Sequence, residues 1–369
     1  MKIGILTFHA SHNYGSMLQA YALQYYLNTH GYDAETINLR IDAQQDLYHF
    51  PLRPIQGKWR QYAISLLNPL WMFHSCRKWF KYEDFLKDNL KLTSKIYKNW
   101  EEIQNDLHLL GYQSIITGGD QIWNMNCRDF DKSFYLPSKL SGIRKISYSP
   151  SFGGKFLSRM TSEQESFIKG CLIDYDFISV RETSMQKYLI QLLDRDIDIA
   201  EDPTMLLHLK DYERFVGDTP IVKGDYIFYY TPFVRPKIEQ LVLKIGKYYG
   251  LKVVTAFPHI CHRKGLQSVN EVGPAEFLNI LSNAKMVIGK SFHLVIFSLM
   301  FHKDFIAIDG DKDARIKSLL EIMNIPERGM LDEMNYQSLE LPKIDFGRID
   351  SVIENMRLHS EKFLMKALT

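Results

Sequence analysis

Cysteine is scarce in this chain, and the scarcity excludes two common ways of stabilising a fold. Four cysteines are spread over 369 residues, and none stands in a Cys-x-x-Cys pair. A disulfide framework or a structural zinc site needs cysteines at close, repeated spacings. We therefore expect a fold held by its own hydrophobic core in a reducing compartment.

Long apolar runs are absent as well. No stretch approaches the roughly 18 consecutive apolar residues that a membrane-spanning helix needs. The opening segment "MKIGILTFHA" is apolar only briefly and lacks the small residues of a cleavage site, which indicates a first β-strand rather than a signal peptide. These features predict a cytoplasmic protein.

Neither sign of charge is in excess, since 45 basic residues balance 43 acidic residues to a net charge of +2. We expect no nucleic-acid partner, because such surfaces usually show a basic excess, but a local anion pocket is compatible with this balance. Hydrophobic residues make up 46% and charged residues 24%, as in globular domains. The chain is too long for one ordinary core, which predicts two domains.

Strand and helix patterns alternate along most of the chain. The strand-like "KIGILTF" leads to the helix-like "SMLQAYALQYYLNTHG", in which Ser16 and Gln19 have the spacing of a capping box. Strand patterns return in "YQSIITGG", "IRKISYSPSFGG" and "YDFISVRE", and a second regular series starts near Asp225. This alternation predicts an α/β fold of two Rossmann-like, doubly wound domains that face each other across a cleft.

The predicted domain boundaries follow from these patterns. Residues 1–205 form the first domain, residues 206–345 the second, and residues 346–369 a C-terminal helix. The first domain is interrupted at about residues 48–100 by a basic, aromatic and helical stretch. We interpret this stretch as a helical cover over the sheet. The alternative is a docking surface for a lipid-linked substrate at the membrane interface.

Polar residues that follow the strands of the first domain are candidates for a site, because parallel sheets bind ligands at the carboxyl ends of their strands. In "HASHNYGS", Asn13 and Tyr14 precede a helix whose unpaired N–H groups favour an anion. The alternative is that Asn13 forms the turn and Tyr14 packs. Arg181, in "ISVRE", has the planar fork that binds a carboxylate or phosphate, and the alternative there is a surface ion pair.

The segment "TGGDQIWN" is a second candidate loop. Gly118 and Gly119 end a strand and allow a ligand to approach the backbone closely. Asp120 and Gln121 follow at once and supply polar groups. In the second domain, His293 lies one turn into the helix after "KMVIG", beside Lys290 and Ser291, and therefore has the position of a ligand-facing group. The alternative is a structural histidine at the edge of an apolar helix.

Two other polar segments do not predict a metal site. "HICH" contains His259 and His262, but no second cluster completes a set of ligands. "DGDKDAR", from Asp309 to Arg315, resembles an acidic metal motif. We interpret it as a loop leading into a helix, with Asp313 as the N-cap.

Taken together, these segments resemble the polysaccharide pyruvyl transferase family. The resemblance extends from residue 2 to about residue 325, in the family's order, through "KIGILTFHASHNYGSMLQAYALQ", "TGGDQIWN", "SYSPSFG", "ISVRE", "EDPTMLL", "VGPAEFLNILSNAKMVIGKSFHLVIFSLMFHKDFIAI" and "ARIKSLLEIMNI". It implies a GT-B-like pair of Rossmann-type domains. It also implies transfer of a pyruvyl group from phosphoenolpyruvate to two hydroxyls of a sugar, in a surface polysaccharide or its precursor, which yields a cyclic ketal and phosphate.

The resemblance also implies roles for the candidate residues. Arg181 would clamp the anionic donor, and Lys290 and the helix start at Ser291 would add cationic and N–H contacts. His293 would be the acid or base, since a histidine can transfer a proton near neutral pH. Asn13 and Tyr14 would line the site from the opposite domain, on the acceptor or the donor side.

Phosphoenolpyruvate is the donor substrate in this scheme, and no other cofactor is implied. The acceptor is a sugar or a lipid-linked saccharide, and a lipid carrier would bring the protein into peripheral contact with the inner face of the membrane.

The chain departs from the family pattern around the histidine. Members usually carry an Asp- or Arg-containing run before it and a glycine after it, whereas this chain has Lys290 and Leu294 in the corresponding segment. A flexible ammonium does not reproduce a guanidinium fork. Two other functions therefore stay open. One is a GT-B glycosyltransferase that uses a nucleotide sugar, with Glu271 or Glu276 as the ribose-binding acid. The other is a non-catalytic binding protein on the same fold.

Overall fold

The computed structural model describes six stretches of the chain. They are residues 1–53, 68–153, 156–232, 235–257, 264–329 and 341–369. The histidines of "HICH", His259 and His262, lie outside the described residues, and so does the part of the predicted helical cover from residue 54 to residue 67.

The first part of the chain forms a parallel sheet of six strands. They are β1 (Lys2–Leu6), β2 (Asp33–Thr36), β3 (Ser114–Gly118), β4 (Arg144–Tyr148), β5 (Phe177–Val180) and β6 (Asp198–Ile199). The spatial order is β2-β1-β3-β4-β5-β6, with Ile3 opposite Ala34 on one side and Ser114 on the other. The order reverses between β1 and β3, and doubly wound sheets bind ligands at such a switch point.

The second part forms a parallel sheet of five strands. They are β7 (Tyr226–Tyr230), β8 (Lys252–Thr255), β9 (Leu266–Ser268), β10 (Met286–Gly289) and β11 (Asp304–Ala307). Their order, β11-β10-β7-β8-β9, corresponds to the 3-2-1-4-5 arrangement of a Rossmann sheet. Its switch point lies between β7 and β10, so Lys290 and His293 follow a strand at this point.

The helices connect the strands of each sheet. In chain order they are α1 (Tyr14–Thr29), α2 (Asp42–Leu47), α3 (Pro69–Asn89), α4 (Trp100–Leu110), α5 (Ser162–Leu172), α6 (Thr183–Leu193), α7 (Leu209–Val216), α8 (Pro236–Tyr249), α9 (Pro274–Ser282), α10 (Phe292–Met300), α11 (Ala314–Ile322) and α12 (Phe346–Leu368). Short 3₁₀ turns span Lys132–Tyr135, Leu157–Arg159, Pro203–Leu206, Gly310–Lys312 and Pro326–Gly329. None of the helices in the described part of the chain is both long enough and apolar enough to cross a membrane.

Both sheets are covered on both faces, which confirms the predicted fold class. Ile115 and Ile116 are neighbours in β3 but belong to different hydrophobic clusters. Ile227 and Phe228 in β7 are divided in the same way. Because successive residues of a strand point to opposite faces, each sheet has a helical layer on either side. One of the clusters contains side chains from both sheets, so the two halves share a core.

Helix α1 lies in this shared core. Of its 16 residues, 13 are buried. A helix that is apolar on nearly every side must be covered on every side, and α1 is covered because it contacts α9 and α10 of the second half. The predicted boundary after residue 205 falls in the turn Pro203–Leu206, which also packs on α1.

The start of α1 differs from the prediction. Asn13, not Ser16, is the N-cap, and its side-chain oxygen accepts from the backbone N–H groups of Gly15 and Ser16. The predicted capping box is wrong because Gln19 is turned inward, where its Nε2 donates to Thr7 Oγ1 at 2.8 Å. The predicted helix start at Asp313 is confirmed, since its side chain accepts from the N–H of Arg315.

Two helices bridge the halves. The C-terminal helix α12 returns to the first sheet, where Arg144 Nη1 donates to Ala367 O at 3.3 Å and Arg357 Nε donates to Met205 O at 2.9 Å. Helix α3, which belongs to the predicted helical cover, lies against the second half. Its Lys78 Nζ donates to Phe257 O at 2.6 Å, and Lys81 Nζ lies 2.6 Å from Glu276 Oε1.

Candidate active site between the two sheets

The carboxyl ends of β5 and β6 bring two charged side chains together. Arg181 follows β5 and Asp202 follows β6, and Arg181 Nη2 lies 2.7 Å from Asp202 Oδ2. The two side chains are only 3% and 0% exposed. Arg181 Nε also donates to Ser149 Oγ at 3.4 Å. The predicted alternative for Arg181, a surface ion pair, does not describe this pair, because both of its members are buried.

Arg181 retains one unused donor. Its Nη1 is buried and has no hydrogen-bond partner among the described residues. Buried N–H groups are almost always paired with protein, water or a ligand. The described residues therefore supply no acceptor for this guanidinium nitrogen.

His293 joins this pair from the second half of the molecule. It lies in the first turn of α10, and its Nε2 is 3.3 Å from Asp202 Oδ2. Burial alone would raise the pKa of Asp202, but Arg181 and His293 hold that pKa well below its usual range. Asp202 therefore stays negatively charged between a guanidinium and an imidazole, and Thr204 Oγ1 donates to its other oxygen at 2.6 Å.

The start of α1 packs directly on the His293 ring. A Cβ atom at Gly15 would lie 2.1 Å from His293 Nδ1, which no side chain can accommodate. A glycine at this position therefore lets the helix N-terminus, with its unpaired N–H groups and positive potential, approach the imidazole. The histidine is held between Asp202 on one side and the α1 N-terminus on the other.

A second arginine, Arg315, was missed by the sequence reasoning. Its guanidinium carbon lies 5.6 Å from the centroid of the Phe292 ring, and that of Arg181 lies 4.9 Å from the same centroid. Arg315 is held by a two-point contact with Asp313, at 3.1 Å and 2.8 Å. Burial would lower the pKa of Arg315, but the Asp313 carboxylate raises it. Arg315 is the last residue of "DGDKDAR", a segment in which the sequence analysis assigned a role only to Asp313, as the N-cap.

Two further carboxyls lie near Arg181. Glu182 accepts from Ser151 Oγ at 2.5 Å, and burial raises the pKa of its carboxyl. Burial also raises the pKa of Glu201, to about 7, with the neighbouring Asp202 charge acting in the same direction. Carboxyls with raised pKa values next to a buried guanidinium are typical of functional sites.

The predicted loop residues after β1 take different positions. Asn13 is exposed and caps α1. Tyr14 is buried and packs between the two halves, where its ring lies 4.6 Å from that of Phe277 and its hydroxyl donates to Ala256 O at 3.3 Å.

The double glycine after β3 meets protein atoms. A Cβ at Gly118 would lie 2.0 Å from Tyr148 O, and one at Gly119 would lie 1.7 Å from Gln19 Oε1. The two glycines thus allow close packing of the chain on itself. Asp120 follows with a φ of 51° and accepts from Ser16 Oγ in the first turn of α1, while Gln121 accepts from Asn124 Nδ2 at 3.0 Å.

Lys290 belongs to a different cluster. Its Nζ lies 3.1 Å from Asp309 Oδ2, and Arg235 and Lys312 contact the same carboxylate at 2.5 Å and 3.1 Å. Partial burial would raise the pKa of Asp309, but these three cations hold that pKa below its usual range. Ser291 is the N-cap of α10 and makes no side-chain capping hydrogen bond. The structure therefore brings Arg181 and His293 together and places Lys290 with Asp309.

The two acids considered for ribose binding are both engaged by α3. Glu276 contacts Lys81 at 2.6 Å, and Glu271 contacts His74 at 2.7 Å and Arg77 at 2.8 Å. Within the described residues, no group of three or more histidine, cysteine, aspartate or glutamate side chains is arranged to hold a metal ion.

The two parallel sheets with this cluster between them define a GT-B-like, two-domain α/β protein. UDP-GlcNAc 2-epimerase from Methanocaldococcus jannaschii is similar, with 10% identity, a TM-score of 0.52, and coverage of 98% of this chain and 100% of that chain. Its complex with UDP-GlcNAc and UDP matches at 12% identity and a TM-score of 0.51, covering 97% and 93%. An α-glucosyltransferase in complex with UDP and a 13-mer DNA containing an HMU base matches at 10% identity and a TM-score of 0.51, covering 99% and 95%. At such identities the likeness shows the fold alone.

The sequence identifies the family. The family model described as Polysaccharide pyruvyl transferase matches residues 13–312. Because this match covers well over half of the chain, the protein belongs to the polysaccharide pyruvyl transferase family, and the predicted resemblance is confirmed. No curated protein matches the chain.

Proposed function

We propose that the protein transfers a pyruvyl group from phosphoenolpyruvate to two hydroxyls of a saccharide acceptor. The observation that carries this proposal is the buried group of Arg181, Asp202 and His293, in which Arg181 Nη1 has no partner among the described residues. Such a group suits a small, strongly anionic donor and a proton transfer beside it. Membership of the polysaccharide pyruvyl transferase family supports the same reaction.

In this proposal, two guanidinium groups hold the donor. Phosphoenolpyruvate carries a carboxylate and a phosphate, and a guanidinium N–H donates a charge-assisted hydrogen bond to either group. Arg181 and Arg315, both close to the Phe292 ring, would each bind one anionic group. The N-terminus of α10 at Ser291 would add N–H donors and positive potential.

His293 is the proposed proton donor. Protonation of the methylene carbon of phosphoenolpyruvate by the His293 imidazolium makes C2 electrophilic, and one sugar hydroxyl adds there and gives its proton to the neutral imidazole that remains. The second hydroxyl then displaces phosphate from C2, which closes the cyclic ketal, and the proton of this hydroxyl leaves with the phosphate. Asp202 is a positioning residue that holds the imidazole.

The acceptor side of the site is proposed to lie at the ends of β1 and β3. Asn13, Asp120 and Gln121 are polar residues at that switch point, and Asp120 is tied to the start of α1 through Ser16. A lipid-linked acceptor at the inner face of the membrane is part of the proposal. The exposed Leu70 and Phe73 side chains of α3 support such a peripheral contact.

Ligand stabilisation followed by a phosphate-release assay tests the proposal. Phosphoenolpyruvate is expected to raise the melting temperature of the wild type. Phosphate release from phosphoenolpyruvate is expected to depend on an added acceptor, drawn from a panel of methyl glycosides and short oligosaccharides. His293→Gln should slow this release more than 100-fold, whereas His302→Gln, two residues beyond the end of the same helix, should retain it.

The other two functions give different results in the same experiment. Stabilisation by UDP-GlcNAc with none by phosphoenolpyruvate would favour a nucleotide-sugar enzyme over the proposal. A folded protein that responds to neither compound would favour a non-catalytic binding protein.

A further inference from the structure

A cavity of about 200 Å³ lies beyond the ends of β1 and β2, apart from the cluster around Asp202. Its lining includes His12, Arg40, Tyr48, Phe50, Trp79 and Glu83. Cavities that hold drug-sized ligands measure roughly 300–1,000 Å³. This one is smaller, and its size suits a single small ring.

Aromatic rings form one part of the cavity wall. The His12 ring is stacked between Tyr82, at 4.7 Å and 5°, and Tyr48, at 5.4 Å and 28°. Trp79 meets Phe50 edge to face at 5.0 Å, and its Nε1 donates to Tyr48 O at 3.0 Å. These contacts hold the rings in place before any ligand arrives, which reduces the entropy lost on binding.

Charged and polar groups form the other part. Glu83 accepts from Arg40 Nη1 at 3.2 Å and 3.0 Å and also lies 3.0 Å from His12 Nε2. Gln45 Nε2 donates to Arg40 O at 2.7 Å. The side chains of Arg40 and Glu83 are each 21% exposed, so the pair is ordered and still accessible from the cavity. Planar groups of this kind can bind two neighbouring hydroxyls at once.

The combination suits a sugar ring. A pyranose has an apolar face of C–H groups that packs on aromatic rings, and hydroxyls at its edge that bind amide, guanidinium and carboxylate groups. A fully apolar ligand would leave Arg40 and Glu83 without new partners. A small anion would make no use of the Tyr48, Phe50 and Trp79 rings.

The cavity is separated from the proposed reaction centre along the sheet edge. In the strand order β2-β1-β3-β4-β5, four strand spacings separate β2 from β5, after which Arg181 lies. At about 4.8 Å per spacing, the far end of the cavity at β2 is roughly 19 Å from the end of β5. Its near end is at His12, three residues before Gly15, which packs on the His293 ring, and three residues of chain span at most about 11 Å. A saccharide that fills the whole cavity and also reaches the cluster must therefore be longer than one sugar ring.

We propose that this cavity is a distal subsite for one sugar ring of a saccharide whose other end reaches the cluster around Asp202. The inference rests on the proposed function only where it identifies that saccharide as the acceptor. The subsite explains how an enzyme of this kind selects a chain of several sugars rather than a free monosaccharide.

Saturation-transfer NMR in the absence of phosphoenolpyruvate tests the subsite. The probes are methyl glycosides of glucose, galactose, mannose and N-acetylglucosamine, together with a trisaccharide of each sugar. At least one probe is expected to bind the wild type, and Trp79→Ala and Glu83→Gln should weaken that binding at least tenfold. Tyr248→Ala, which removes an exposed ring from α8, is the control and should bind normally.

Two outcomes would overturn the subsite. One is that no probe binds the wild type, and the other is that the Trp79→Ala and Glu83→Gln variants bind as tightly as the wild type. The melting-temperature response to phosphoenolpyruvate separates this inference from the proposed function, since Trp79→Ala should retain it. If the wild type shows no such response but glycoside binding still depends on Trp79, the proposed reaction fails and the sugar site stands.

Discussion

Asp202 links Arg181 to His293 in the candidate site although it has no exposure to solvent. Its carboxylate lies between Arg181 and His293, which come from different sheets. A buried charge persists only where neighbours compensate it. The position of Asp202 therefore couples the geometry of the site to the contact between the two halves.

Replacing Asp202 with asparagine is expected to destabilise the protein and to abolish activity. The amide keeps the shape and an acceptor for Thr204 but removes the charge, so that Arg181 is left buried and uncompensated. We expect a loss on the order of 3 kcal/mol in the free energy of unfolding, measured in urea. Asp198→Asn, on the partly exposed strand β6, is the control and should change little. An unfolding curve for Asp202→Asn that overlays the wild type would contradict this assignment.

Glu201 contributes to the free energy of unfolding at low pH and loses this contribution as the pH rises, whereas an ion-paired carboxylate loses its contribution as the pH falls. Burial raises the pKa of its carboxyl from 4.5 to about 7. The native state therefore holds the proton more tightly between these values. The stabilisation by the neutral form is complete below about pH 4.5 and is lost as the pH rises through about 7.

Glu201→Gln, which cannot ionise, tests this dependence. The variant is expected to exceed the wild type in free energy of unfolding by about 1–3 kcal/mol at pH 8 and to match it at pH 4.5. Urea denaturation at the two pH values measures the difference. Glu213→Gln, at an exposed position, should show no such dependence. The same difference at both pH values for Glu201→Gln would argue against a raised pKa.

The start of α1 is the element on which the position of His293 depends. Gly15 leaves no room for a side chain, because a Cβ would lie 2.1 Å from the imidazole. Gly15→Ala is expected to displace the ring or the helix start. We expect a loss of the phosphoenolpyruvate-dependent rise in melting temperature and about 1–3 kcal/mol of destabilisation.

Gly170→Ala in α5 is the matched control for this substitution. A Cβ there would meet no atom within 4 Å, so alanine should be neutral or should stabilise the helix by up to about 1 kcal/mol. A Gly15→Ala variant that keeps both its stability and its response to phosphoenolpyruvate would show that the close packing on His293 has no role in the site.

In the molecule as a whole, α3 fastens the first half of the chain to the second. Lys81 and Glu276 form one of its ion pairs across the interface, and both side chains are partly buried. The same helix engages Glu271 through His74 and Arg77. Both acids that would serve a nucleotide-sugar site therefore already have partners in this arrangement.

Charge exchange tests this contact. Lys81→Glu places two carboxylates together and is expected to lower the free energy of unfolding by about 1 kcal/mol. It should also expose α3 to limited proteolysis. The double variant Lys81→Glu with Glu276→Lys should recover most of both losses, as a double-mutant cycle requires for a direct pair. If the double variant behaves as the sum of the single variants, the two side chains do not interact.

The sequence by itself determined the class of fold and the family. Apolar runs of strand length alternate with helical patterns, and this periodicity arises because each strand is buried on both faces and each helix covers a sheet. The same local logic marked the polar loops after the strands, and among these Arg181 and His293 came together in the structure. The capping box at Ser16 failed because an inward-facing glutamine has the same local spacing as a capping one.

Only the tertiary structure decided which charged groups meet. Asp202 precedes Pro203 in "EDPTMLL" and caps the turn Pro203–Leu206, but this local pattern does not indicate a contact with Arg181 or His293. Arg315 is 134 positions from Arg181, yet both lie against Phe292. Lys290, three positions from His293, contacts Asp309 instead. Burial and charge compensation act between residues that are distant in the chain, so sequence spacing could not assign these partners.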